Sequence, residues 1–138
     1  MNTIIANTQT EEAASPEQLS KGLHVAINVL RKWNATPAQM SSILGVSTAT
    51  INRVKRKEIV RLSRDQADRA SYVLNIHASL RTVFENPKNI YGFVNMENHN
   101  PFFNGRTPLS LMVEGSMANL YEVFKRINAL EMLHHQQT

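Results

Sequence analysis

Apolar positions recur at helical steps over most of the chain. Leu19, Leu23, Ala26, Ile27, Leu30 and Trp33 make the first stripe, the signature of an amphipathic helix. Ser15-Pro16-Glu17-Gln18 supplies its start, with a cap, a proline in the first turn and a Gln at capping-box distance. Asn34 ends it. Trp33, the only Trp, is expected to pack into the core. A second stripe runs through Ala67, Ala70, Val73, Leu74, His77, Leu80 and Phe84, broadened by Ile76 and Val83. Ser63-Arg64-Asp65-Gln66 opens that long helix, and it ends near Asn86-Pro87. A third stripe, Leu120, Val123, Phe124, Ile127 and Leu130, follows a stop at Gly115 and a cap at Ser116.

Shorter pieces lie between these stripes. Pro87-Lys88-Asn89 begins a turn or short helix through Ile90, Tyr91, Phe93 and Val94. Asn98 to Arg106 holds Asn, Pro and Gly together with Phe102 and Phe103, which marks a loop. The two Phe are expected to serve the core or a dimer contact. Thr107-Pro108 then launches a short helix with Leu109, Leu111, Met112 and Val113. No strand pattern, repeat or low-complexity tract occurs. The predicted fold is all-α, a helical bundle of about six to seven helices. The tail from Glu131 to Thr138 shows no core pattern.

Thr36 to Lys57 is the most informative stretch. Thr36 caps a helix with Pro37 at its first position. Ala38, Met40, Ile43 and Leu44 are expected to face inward. Gly45 turns the backbone, Val46 fills the corner and Ser47 caps a second helix. There Ile51 and Val54 point one way, while Thr48, Thr50, Asn52, Arg53, Arg56 and Lys57 are left for the other faces. This is the pattern of a helix-turn-helix, whose second helix reads the DNA major groove. Short polar side chains allow close approach to base edges, and Arg and Lys neutralise phosphates. The candidate DNA-binding residues are Gln39, Ser47, Thr48, Thr50, Asn52, Arg53, Arg56 and Lys57. The plainer alternative is an αα-corner with a solvated basic face.

Charge strengthens the nucleic-acid reading. The 138 residues carry a formal net charge of +4. Six bases (Arg53, Lys55, Arg56, Lys57, Arg61, Arg64) crowd around one acid, Glu58. That cluster coincides with the second helix and reads as a footprint for phosphate. The remaining 9 of 15 bases are set against the other 10 of 11 acids, so the rest of the chain suits a protein partner better than a polyanion. The chain lacks Cys, which excludes thiol chemistry and fits a reducing compartment. No signal-peptide pattern or apolar stretch of roughly 20 residues is present. The expected location is therefore cytoplasmic, on the nucleoid when bound to DNA, with no membrane partner. No nucleophile set, carboxylate pair or phosphate loop is apparent, so no enzyme activity and no cofactor are expected. His77 has no second ligand one turn away, and His134-His135 cannot chelate as a helical pair would, so no metal is expected either.

The C-terminal part supplies a second signature. Asn100-Pro101 precedes Asn104-Gly105-Arg106-Thr107-Pro108-Leu109-Ser110-Leu111-Met112, then Gly115 and the helix Ala118 to Ile127. This resembles the toxin-binding domain of Xre/MbcA/ParS-type antitoxins, and the helix-turn-helix before it looks like the Xre-type part of the same proteins. The likeness spans roughly residues 20 to 130. It implies a bacterial type II antitoxin whose partner is a RES-domain, NAD-consuming toxin. Such an antitoxin covers the toxin's active-site entrance, forms a homodimer and binds operator DNA to repress its own operon. The toxin-binding candidates are Asn104, Gly105, Arg106, Thr107, Tyr121, Lys125 and Arg126. Arg106 either reaches into an acidic site or bonds nearby carbonyls and pins its loop. Beyond Leu130 the Gly-rich or basic finish of some members is missing.

The resulting organisation is a flexible leader over residues 1–14 and a helix-turn-helix domain over 15–62. A connecting helix occupies 63–86, and a toxin-binding and dimerisation domain 87–138. Two alternatives remain at this point: a stand-alone repressor, and a toxin-binding module that does not bind DNA.

Overall fold

The computed structural model describes residues 14–137, with side chains as far as Leu133. Apart from Ala14, the expected leader lies outside the described residues, as do the side chains of His134 and His135. Seven α-helices make up the described part: α1 (Pro16–Lys32), α2 (Pro37–Leu44), α3 (Thr48–Lys55), α4 (Arg64–Val83), α5 (Pro87–Gly92), α6 (Pro108–Val113) and α7 (Met117–Gln137). A single 3-10 turn, Phe93–Asn95, follows α5. The described fold is all-helical.

The helix starts follow their local chemistry. Ser15, Thr36 and Ser63 each accept from the backbone N–H three residues on, while Gln18, Gln39 and Gln66 reach back to the cap's own N–H at 2.9 Å. These reciprocal pairs satisfy donors that a helix start otherwise leaves open. Proline opens α1, α2, α5 and α6, where its missing N–H costs nothing. Asn86, Thr107 and Ser116 cap α5, α6 and α7. Gly45 ends α2 with φ 67°, a left-handed conformation that a β-carbon would strain.

The helices share one hydrophobic cluster. Leu23, Ile27, Leu30 and Trp33 of the α1 region meet Ile43 and Leu44 of α2, Ile51 and Val54 of α3, and Val73, Ile76 and Leu80 of α4. Leu111, Met112, Leu120, Val123 and Ile127 extend the cluster through α6 and α7. Each such side chain stabilises the fold by about 1.5–3 kcal/mol when taken fully out of water. Polar ties fix the register of this packing. Buried Ser20 Oγ donates to the Val60 carbonyl and accepts from the Val60 N–H at 2.9 Å, joining α1 to the segment between α3 and α4. Asn95 Nδ2 donates to the Trp33 carbonyl at 2.7 Å.

Two local expectations are corrected. Ala38 is exposed. It lies two residues before Met40, about 200° around the helix, so it cannot share the face of Met40, Ile43 and Leu44. The tail after Leu130, which lacks a core pattern and for which no helix is expected, continues α7 to Gln137, with Met132 and Leu133 exposed on it.

Candidate functional site

The α2–turn–α3 unit is held from below and from its side. Met40, Ile43, Leu44, Val46, Ile51 and Val54 are buried. Ser41 Oγ donates to the Val46 carbonyl across the turn. Gln66 of α4 donates through Nε2 to the Gly45 carbonyl at 2.8 Å. Arg69 of α4 then crosses the seam. Its Nη1 donates to the Gly115 carbonyl at 2.6 Å and to the Ile43 carbonyl at 3.4 Å, and its Nε pairs with Asp65 at 2.8 Å. The turn is therefore braced by α4 and by the α6–α7 corner.

This bracing leaves one side of α3 open. Thr48, Ala49, Asn52, Arg53 and Arg56 are all exposed and recur at helical spacing along a single face. Ser47 caps the helix: its Oγ accepts from the Thr50 N–H and donates to Thr50 Oγ1, both at 3.0 Å. Ser47 and Thr50 therefore bond each other, and Thr50 is partly buried. Gln39 is occupied by its capping box with Thr36. Lys57 is exposed at φ 65°, where the chain leaves α3.

Electrostatics at the end of α3 centre on Glu58. Its Oε1 accepts from Arg53 Nε at 3.1 Å and its Oε2 from Arg56 Nε at 3.0 Å. The Glu58 N–H donates to the Arg53 carbonyl at 3.0 Å, which holds the carboxylate under both guanidinium groups. The hydrogen bonds from Arg53 and then Arg56 hold the Glu58 carboxyl below its ordinary pKa. In the sequence Glu58 stands out only as the single acid of the basic run, and its pairing is not evident there. The available signal is only its place five residues after Arg53 and two after Arg56.

The Asn98–Thr107 loop is built by its own backbone. The Gly105 N–H donates to the Asn98 carbonyl at 2.8 Å, the Asn104 N–H to the Asn100 carbonyl at 2.9 Å, and the Asn98 N–H to the Arg106 carbonyl at 3.1 Å. Asn104 at φ 53° and Gly105 at φ 87° take the left-handed conformations that Asn and Gly tolerate. Arg106 donates through Nε to the Phe103 carbonyl and through Nη2 to the Phe102 carbonyl, both at 2.8 Å. Of its two sequence readings, this geometry is the loop-pinning one. Thr107 caps α6 through the Ser110 N–H at 3.1 Å. Phe103 is a core residue, and Phe102 stands edge-on to it.

Of the α7 candidates, Arg126 joins this loop. Its guanidinium lies 5.1 Å from the Phe102 ring centroid and pairs with Glu122 at 3.1 Å. Tyr121 stands edge-on to Tyr72 of α4, and the Lys125 ammonium lies 6.0 Å from the Tyr121 ring. A cleft of about 280 Å³ runs between the loop and α7, lined by Phe93, Pro101, Phe102, Ile127, Leu130 and Leu133 among others. Among the described residues, no cluster of His, Cys, Asp or Glu is suited to a metal, and no helix is long and apolar enough to cross a membrane.

An exposed polar and basic second helix, joined through a glycine turn to a first helix whose inner face is buried, is the geometry of a helix-turn-helix. Residues 9–75 match the family model of the antitoxin Xre-like helix-turn-helix domain. That span includes α1, α2, α3 and more than half of α4. Over these 67 of its 138 residues the chain is similar to the helix-turn-helix domain of Xre-like antitoxins. No curated protein matches the chain.

Proposed function

We propose that this protein is the antitoxin of a type II toxin–antitoxin system, that it neutralises a cognate toxin and that it represses its own operon as a homodimer. The observation that carries the reading is that the exposed cations of α3 all fall within the antitoxin helix-turn-helix match. Arg53, Arg56 and Lys57 meet phosphates or guanine edges, while Thr48 and Asn52 face base edges. Gln39, Ser47 and Thr50 hold the start of each helix against the backbone of the duplex. Pairing two chains supplies the second half-site that one short recognition helix needs.

Residues 87–138 form the toxin-binding and dimerisation part in this reading, with 63–86 as the connecting helix and 15–62 as the DNA-reading part. The likeness of Asn104-Gly105-Arg106-Thr107-Pro108 and α7 to antitoxin toxin-binding domains supports it. A RES-domain, NAD-consuming enzyme is the toxin that this likeness implies, and blockage of its active site is the mechanism. Asn104, Gly105 and Thr107 shape the contact loop, Arg106 braces it, and Tyr121, Lys125 and Arg126 offer side chains from α7.

Co-expression with the protein encoded beside it tests the antitoxin half. Relief of that protein's growth arrest, with co-purification of the pair, is the expected result. Persistent arrest with no complex rules out neutralisation. A gel shift with the chain's own upstream DNA, compared with a random duplex, tests the operator half.

A further inference from the structure

Glu58 stands apart from the residues that a DNA-reading helix ordinarily supplies. It is the one acid in a run with six bases, and it takes one arginine on each oxygen. Both bonds come from Nε, the single N–H on the inner edge of each guanidinium. Each group keeps the four N–H bonds of its two Nη atoms for another acceptor. An arginine held by Nε presents those Nη atoms as a flat fork whose direction the carboxylate sets. An arginine without that hold swings on a four-bond stem and neutralises whichever phosphate is near.

The anchoring is built into the backbone. Lys57 adopts φ 65°, which reverses the chain after α3 and returns Glu58 toward the arginines. The Glu58 N–H bond to the Arg53 carbonyl then fixes the turn. Arg53 and Arg56 remain 49% and 62% exposed, so the carboxylate orients them without removing them from solvent.

We propose that Glu58 is a positioning and specificity-determining residue for DNA recognition, aiming the forks of Arg53 and Arg56 and restraining their non-specific contact with phosphate. This inference rests on the DNA-binding reading above. Its physical content is a trade. The carboxylate cancels one of the two positive charges at this site, which weakens attraction to any polyanion. In exchange, the oriented forks match the paired acceptors of a guanine edge or a single phosphate. Like any glutamate, Glu58 is ionised at neutral pH, and the two arginine hydrogen bonds extend its ionised range further into acid.

The test compares full-length wild type with Glu58→Gln on two duplexes of equal length, one carrying the chain's own upstream sequence and one random. Each affinity is measured across a salt series. Gln keeps the size of the side chain and removes the charge. The expected result is a rise of about threefold to tenfold in affinity for the random duplex, with a salt slope steeper by about 0.9 for each additional phosphate neutralised. Affinity for the upstream duplex does not rise, so the ratio between the two falls by the same factor of about threefold to tenfold, near the lower end of one base discrimination. Thermal midpoints of the two proteins should agree, because Glu58 lies at the surface. Glu58→Ala should reproduce the fall in ratio.

A parallel rise on both duplexes overturns the proposal, since it reduces Glu58 to a bulk charge. So does an unchanged ratio and slope. A wild type that binds neither duplex overturns the DNA-binding reading itself, one that binds both equally overturns the operator-reading part of it, and either result removes the proposal. Failure of the inference and failure of its foundation are therefore read from different measurements.

Discussion

Arginines meet two different fates in this molecule. On the open face of α3, Arg53 and Arg56 bond a carboxylate at the surface. In the seam between α2, α4 and the α6–α7 corner, Arg69 bonds backbone carbonyls and is only 12% exposed. Arg106 follows the second pattern in its loop, on the carbonyls of Phe102 and Phe103. Arg69 also pairs with the exposed Asp65 carboxylate, so what distinguishes the two is the added bonding to backbone carbonyls. A carbonyl in a closed turn has no substitute, so an arginine bonded to it serves the fold. A solvent-exposed carboxylate is exchangeable for phosphate, so an arginine bonded to it remains available to a partner. Charge alone, counted along the chain, would rank all four alike.

Removing Arg69 gives the largest expected effect. Arg69→Ala leaves the Gly115 carbonyl without its 2.6 Å donor and withdraws a second donor from Ile43. It also empties space beside Gly45, where a built β-carbon would lie 3.3 Å from Arg69 Cδ. Charge-assisted bonds removed from a closed site predict destabilisation of about 2–4 kcal/mol. The thermal midpoint should fall by about 10 °C. Calorimetry or urea unfolding measures this, and a loss under about 0.5 kcal/mol, the scale of an exposed ion pair, would place Arg69 with the surface arginines.

The opposite behaviour is expected of Arg53→Ala with Arg56→Ala. Exposed pairs contribute little to folding, so the double variant should unfold within about 0.5 kcal/mol of wild type. DNA affinity should fall about 10- to 100-fold, and the salt slope should become shallower by about 0.9 for each phosphate no longer neutralised. Fluorescence anisotropy over a salt series gives both numbers. Unchanged affinity and slope would reassign the α3 face to simple solvation.

The contrast also separates what the chain states locally from what it does not. Ser15 and Ser63, each with a Gln three residues on, and Thr36, with Pro37 after it, predicted helix starts that the caps close by their own bonds; the Gln39 half of the Thr36 box emerges only in the structure. The apolar stripes predicted the core because burial follows helical period. Gly45 predicted the turn because its φ of 67° suits no side chain well. These signals live within a few residues of one another. Arg69 meets Gly115 across 46 positions, and Ser20 meets Val60 across 40. Neither pairing leaves a periodic or capping trace. Glu58 lies between these cases: its charge stands out in the sequence, but its pairing with Arg53 and Arg56 depends on the reversal at Lys57. The helix beyond Leu130 is illegible in the sequence because exposed Met132 and Leu133 continue no inward stripe.

The smallest expected effect concerns a cation kept away rather than one retained. His77 of α4 faces Tyr91 of α5, stacked on it with ring centroids 5.5 Å apart and Nε2 3.3 Å from the Tyr91 hydroxyl. Lys32 holds the same ring, its ammonium 5.2 Å from the centroid. Burial lowers the His77 pKa first, and the charges of Arg81 and Lys32 lower it further. A folded pKa below the ordinary histidine value means that the unfolded chain binds the proton more readily. Stability from neutral His77 is therefore complete above that ordinary value and is lost as pH falls through the lower, folded one. Urea unfolding at about pH 7.5 and about pH 5.5, on either side of the ordinary histidine value, should show a modest loss at the acid end that His77→Gln reduces. Glu58, whose carboxyl is held below its ordinary value, contributes only further into acid, so the two windows separate. If His77→Gln leaves the slope between these pH values unchanged, the ring already accepts its proton in the folded state. The Lys32–Tyr91 contact would then tolerate a second cation beside it.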